Sequence, residues 1–176
     1  MRRVAMGSAM LAMMVGLSAP ATAGSARIRH AGAASVRCSS SGLSVWLYTP
    51  PGNGALGSRY FYVEFTNLSG HTCTLHGAPG VSAVSLSGRQ VGAAAARNLQ
   101  HLPAQVLANG ATAAALLKIT VAAAIGGCHP PLAAGLRVYP PNQVASKVVP
   151  FPVQACSQTF MSVGEVEANH EGIEYP

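Results

Sequence analysis

Residues 57–81 read GSRYFYVEFTNLSGHTCTLHGAPGV, and this run decides the fold class. Its first half alternates, with Tyr60, Tyr62 and Glu64 on one side and Phe61, Val63 and Phe65 on the other. Period-two alternation in aromatic and β-branched residues marks a strand with one face buried. Asn67-Leu68-Ser69-Gly70 supplies turn chemistry next, because Asn and Ser bond to nearby backbone and Gly accepts positive φ. Cys73 follows on a short return segment that Ala78-Pro79-Gly80 closes. The run predicts a central strand, a tight turn and a cysteine staple in one place.

Outward from it, residues 43–48 (LSVWLY) alternate again, setting Leu43, Val45 and Leu47 against Ser44, Trp46 and Tyr48. Residues 50–57 form a Pro/Gly loop, and 81–86 predict a strand turned at Ser87-Gly88 with a return at 90–92. The stretch 93–101 is ambiguous, since its alanines suit a helical turn and its length does not. Residues 105–107 and 111–120 flank Asn109-Gly110, the strongest short-range hairpin signal. The alanines at 111–115 are poor strand formers, so that expectation rests on the turn and on 116–121. Residues 126–131 make a loop holding Cys128, 136–139 a short strand halted by Pro140-Pro141, and 160–163 a closing strand. The prolines within 148–153 confine that extended segment to a sheet edge. Roughly seven to nine short strands with Gly/Pro turns argue an all-β, immunoglobulin-like antiparallel β-sandwich.

The ends of the chain read differently. Residues 1–23 have the three parts of a secretory signal peptide: Arg2 and Arg3, an apolar run over 4–19, and the cleavage triplet Ala21-Thr22-Ala23. The apolar run falls short of the roughly 20 residues a membrane span needs. No cysteine stands at the cleavage point to carry a lipid. The mature protein is therefore expected to be secreted or held at the cell envelope, with no stable membrane anchor. Five of the six methionines leave with the signal, which removes any Met-rich copper site. Residues 24–37 read as a flexible leader and 164–176 as an acidic disordered tail, so the sandwich is expected over 38–163.

Eleven Lys/Arg stand against five Glu, with no Asp; without Arg2 and Arg3 the balance is nine to five, or +4. Between Cys38 and Val163 only Glu64 opposes six bases. Such a body favours anionic wall polymer or lipid headgroups, although scattered Lys/Arg also serve plain solubility. A dense basic stripe interleaved with aromatics, which nucleic-acid binding needs, is missing.

The four cysteines, Cys38, Cys73, Cys128 and Cys156, read as two disulfides in an exported chain. Three connectivities exist; Cys38–Cys73 with Cys128–Cys156 is favoured because each closes a local loop. Zinc ligation lacks a C-x-x-C pair. Catalysis has little to work with. A Ser-His-Asp triad needs an acid beside the histidine, glycoside hydrolysis needs paired carboxylates, and oxidised cysteines are not nucleophiles. No enzyme activity and no cofactor are expected. His71, His76 and His129 lie near Cys73 and Cys128 and would bind a metal only if their segments converged; exposure in polar turns is the plainer reading, and no metal is expected. A sharper candidate is aromatic. If the Leu/Val and Phe/Val rows fill the core, Trp46, Tyr48, Tyr60 and Tyr62 share the opposite faces of two strands. On neighbouring strands they would form an exposed platform for a sugar or a protein.

The cysteine before LSVWL, the run at 57–81, GRQVG at 88–92, LANG at 107–110, Cys128-His129-Pro130, LRVYPP at 136–141 and the final cysteine together resemble the uncharacterised domain family numbered 4232, found in exported proteins and lipoproteins of actinobacteria. The resemblance spans about residues 38–163. It implies an extracytoplasmic β-sandwich with paired cysteines and no established activity. Ala78 stands where many members carry an aromatic residue. The expected function is that of an exported, non-catalytic domain binding a cell-envelope component, such as wall polymer, or another exported protein. The alternative is a secreted inhibitor or modulator of an extracellular enzyme such as a protease, presenting loop 50–57 or 76–80.

Overall fold

The computed structural model describes residues 36–168; the signal segment, the leader up to residue 35 and residues 169–176 lie outside the described residues. Eleven strands and two 3-10 turns (Ser40–Gly42 and Ala122–Ala124) make up the domain. The strands are β1 (Leu43–Tyr48), β2 (Gly54–Ala55), β3 (Ser58–Asn67), β4 (Cys73–Leu75), β5 (Gly80–Val84), β6 (Ala96–Arg97), β7 (Gln105–Leu107), β8 (Thr112–Thr120), β9 (Leu132–Tyr139), β10 (Lys147–Gln154) and β11 (Met161–Val163). No α-helix occurs among the described residues.

The largest sheet follows the order β1-β3-β8-β11-β6, with the short β2 also paired to β3. A second sheet runs β10-β9-β5, and β4 pairs with β7 apart from both. The run read as the organising strand is β3, and it lies inside the main sheet between β1 and β8. Its inward row of Phe61, Val63 and Phe65 faces Leu117, Ala115 and Ala113 of β8. Those alanines have little strand propensity, yet all are fully buried. Their small side chains fit beside two phenylalanines, and tertiary packing overrides propensity. Opposite them pack Val81, Ala83, Leu136 and Val138 of the second sheet. The layers meet where the Phe61 and Phe151 rings cross edge to face at 5.0 Å, an arrangement aromatic quadrupoles favour. The result is an all-β, sandwich-like domain.

Disulfides join Cys38 to Cys73 and Cys128 to Cys156, the favoured pairing. The first fastens β4 to the chain entering β1, reinforcing the bridge between Arg37 and Thr74. The second ties the loop before β9 to the chain leaving β10. As the prolines require, β10 is an edge strand, and its register shifts between Pro150 and Val153.

Two expectations are corrected, and one stretch left open by the sequence is settled. Asn109-Gly110 does turn the chain, but the strands it joins do not pair with each other: β7 pairs with β4, and β8 with β3 and β11. The reason is turn type. Gly110 has φ of 86° while Asn109 is not left-handed, and Ala111 N–H donates to Ala108 O, which describes a type II turn. Hairpins favour type I′, where both central residues have positive φ, because its twist matches the strands; type II splays them. Second, the ambiguous stretch 93–101 is extended rather than helical. Its Ala96 and Arg97 form β6, parallel to β11. Third, order does not stop at Val163. Gly164 N–H donates to Leu116 O, Glu167 bridges Ala114, and Val166 is buried with its N–H on Gly77 O. The domain thus includes at least residues to 168, and only the remainder of the expected tail falls outside the described residues.

Candidate functional site

The register of β1 on β3 sets Trp46 opposite Glu64 and Tyr48 opposite Tyr62. Tyr60 follows two residues away on the same side of β3, opposite Lys118 of β8. All four candidate rings therefore share one face of the main sheet, as side-chain parity requires. Exposure, however, divides them. Trp46 is 49% exposed and Tyr48 half-buried, whereas Tyr60 and Tyr62 are 5% and 2% exposed. Tyr62 is flanked by Tyr48, whose ring centroid is 6.4 Å away, and by Leu116 of β8. Because β3 is an interior strand its side chains have neighbours on both sides, while β1 is terminal in the strand order. The expected four-ring platform thus contracts to Trp46 with the edge of Tyr48.

Beside Tyr60 lies a cleft of mixed polarity and about 360 Å³, lined among others by Asn98, Leu102, Leu116, Lys118 and Glu165. Glu165 organises one wall. Its buried carboxylate accepts hydrogen bonds from the backbone N–H groups of Gln100 and Leu102, at 2.8 and 2.9 Å on the same oxygen. His101 between them adopts φ of 59°, a left-handed turn that aims both amides at one acceptor. The Leu102 amide first, and then the Gln100 amide, hold the Glu165 carboxyl below its ordinary range. Hydrogen bonds to the charged form lower a carboxyl pKa. The sequence reading placed Glu165 in a disordered tail; the signal it passed over is the apolar pair Val163 and Val166 on either side.

The sign of the pH effect follows. A carboxyl whose folded pKa is depressed adds stability that is present above its unfolded pKa and lost as pH falls through the folded one. Glu165→Gln is expected to lower the melting temperature at pH 7, with the gap to the native protein narrowing below the ordinary carboxyl pKa of 4.5. A gap that stays constant from pH 7 to pH 3 in calorimetry contradicts this role.

The histidines do not converge. His71 bonds locally, its Nδ1 lying 3.1 Å from Ser69 O. His76 lines a separate cleft of about 340 Å³ with Arg37, Thr74, Asn142 and Gln143. Among the described residues no group of three or more His, Cys, Asp or Glu side chains is placed to hold a metal ion. The residue the sequence reading underrated is Asn67, read only as turn chemistry. It is fully buried. Its Nδ2 donates to His71 O and Leu107 O, at 2.8 and 2.9 Å, while its Oδ1 accepts from both the N–H and the hydroxyl of Ser69. Asn67 opens an Asn-Leu-Ser sequon, but with its amide nitrogen so engaged it is no glycan acceptor in the folded domain.

The described residues form an all-β, sandwich-like domain stapled by two disulfides, with one tryptophan on the terminal strand of its main sheet, and paired cysteines of this kind are consistent with an oxidising, extracytoplasmic location. The chain belongs to the family described as Domain of unknown function (DUF4232), whose model matches residues 38–169. That span reaches past Val163 to the ordered segment around Glu165. Neither a curated protein nor a solved structure matches the chain.

Proposed function

We propose that this is an exported, non-catalytic binding domain that docks a cell-envelope component or another exported protein through the β1 edge centred on Trp46. One observation carries the reading: a large aromatic side chain stays 49% exposed beside a half-buried tyrosine, and aromatic residues in that setting serve as interface anchors. Paired cysteines agree with an oxidising compartment. Trp46 is the only tryptophan, so its emission reports on this site alone. Titrating the oxidised protein with wall polymer, lipid vesicles and exported-protein fractions is expected to shift that emission with one of them. Trp46→Ala is expected to weaken the same retention roughly 30-fold, about 2 kcal/mol, with melting nearly unchanged. Undiminished retention by the variant refutes the reading. Retention that vanishes with salt assigns binding to the basic body instead.

A second reading, an inhibitor or modulator of an extracellular protease, is favoured by the loop between β1 and β3. Leu56 stands fully exposed at its tip, and β2 braces the loop against β3. The other loop is less suited, since Ala78 and Pro79 are buried and His76 O accepts from Asn142 Nδ2. Stoichiometric inhibition of any member of a secreted-protease panel, lost in Leu56→Gly, supports this reading; ordinary cleavage or indifference removes it.

A further inference from the structure

The inward row of β3 begins with a cation. By parity Arg59 lies on the side of Phe61, Val63 and Phe65, at the end where the two sheets open. Here β3, the end of β8, the Ala122–Ala124 turn and β10 line an open slot of about 240 Å³. Its apolar lining is the crossed pair Phe61 and Phe151 with Ile119, Val121 and Val153. Pro152 also lines it and, lacking an N–H, offers no backbone donor there. The slot's polar side chains are Arg59, Thr120 and Gln154. Among the described residues no acid pairs with Arg59. Glu64 lies on the opposite side of β3, Glu165 is engaged by Gln100 and Leu102, and Glu167 lies beside Ala114 on β8. Arg59 is exposed at the head of a core row, beside an apolar slot, and among the described residues no acid compensates its charge where a ligand's head group would sit.

We propose that this slot binds an anionic amphiphile, a medium-length aliphatic chain ending in a carboxylate, with the chain against Phe61 and Phe151 and the carboxylate on Arg59. Guanidinium and carboxylate match in geometry as well as charge, and the pairing is bidentate. The slot is smaller than the roughly 300–1,000 Å³ of drug-sized sites, which restricts it to a single short chain. The site is distinct from the Trp46 edge, and its test does not depend on that edge being functional.

Octanoate and octan-1-ol are the probes, titrated into the full oxidised protein while ring proton shifts of Phe61 and Phe151 and the emission of Trp46 are followed. Octanoate is expected to shift both rings and leave Trp46 unchanged. Arg59→Gln is expected to weaken octanoate at least about tenfold and leave octan-1-ol as it was. Val121→Tyr, which puts bulk into the slot from a partly exposed position and keeps Trp46 the single tryptophan, is expected to block both. Retention of native melting by each variant keeps the comparison valid. The proposal is overturned if millimolar octanoate leaves the rings unmoved, if Arg59→Gln binds octanoate as tightly as the native protein, or if the shifts appear at Trp46 instead. A response to phosphatidylglycerol vesicles but not to free octanoate also overturns it, since the basic surface then binds a lipid headgroup without the slot.

Discussion

Asn67→Asp is expected to destabilise the domain by about 3–5 kcal/mol at pH 7, a large part of the roughly 5–15 kcal/mol that holds a native domain together. The change is isosteric, so no cavity opens. What changes is the sign of one contact: a carboxylate oxygen replaces the amide nitrogen that donates to His71 O and Leu107 O. Two carbonyls then face an acceptor in a site with no solvent exposure. Such a carboxyl titrates above its unfolded pKa, because burial and the carbonyls favour the neutral acid. Stability is therefore fullest when the group is protonated and falls as pH rises toward the raised folded pKa, after which the loss is complete. Urea unfolding at pH 7 and near pH 4 should show a deficit that shrinks on acidification, with an unchanged denaturant slope. A deficit below about 1 kcal/mol at pH 7 means that the corner tolerates the rearrangement and that Asn67 is not its hub.

The second large effect concerns the staples. Cys38→Ser with Cys73→Ser opens a closed loop of 35 residues, and Cys128→Ser with Cys156→Ser one of 28. Chain-entropy reasoning gives each about 3.5–4 kcal/mol. The first pair should be the costlier, since Cys38 and Cys73 are both buried, so two new hydroxyls enter an apolar site. Guanidinium unfolding of the two double variants under oxidising conditions, with the oxidised native protein as reference, tests the ranking. An equal or inverted ranking shows that loop closure alone is not what the first bridge contributes.

Much of this was readable in residue periodicity. The bounds of β1 and the facing of β3 follow from alternation, because a strand with one buried row must repeat every second residue. Proline placed β10 at an edge. Of the elements misjudged or left open, two depend on a partner distant in sequence and the third on a single local dihedral. Nothing local in Ala96-Arg97 says that β11, some 65 residues later, will pair with it in parallel. Gly110 announces a turn but not the φ of its neighbour, which chooses between a hairpin and a corner. Glu165 reads as one more acid in a polar terminus until residues 100–102 are brought to it. For the aromatic face, parity placed the four rings correctly and exposure did not follow, because parity gives the side of a sheet and says nothing of what rises beside it.

The placement of β11 also bears on how the molecule comes into being. The last strand of the domain is not added at a margin but is seated between β8 and β6, and β8 itself returns to β3 across some fifty residues. A nascent fragment ending at Thr120 holds β3 and β8 but leaves a long row of β8 amides and carbonyls open and β6 with nothing to pair with. Closure thus waits for the whole chain. Loop-closure entropy must be met before such distant pairings reward it, which puts folding on the millisecond-to-second scale of non-local β proteins. The polypeptide leaves the ribosome as an unfinished sheet and completes its interior last.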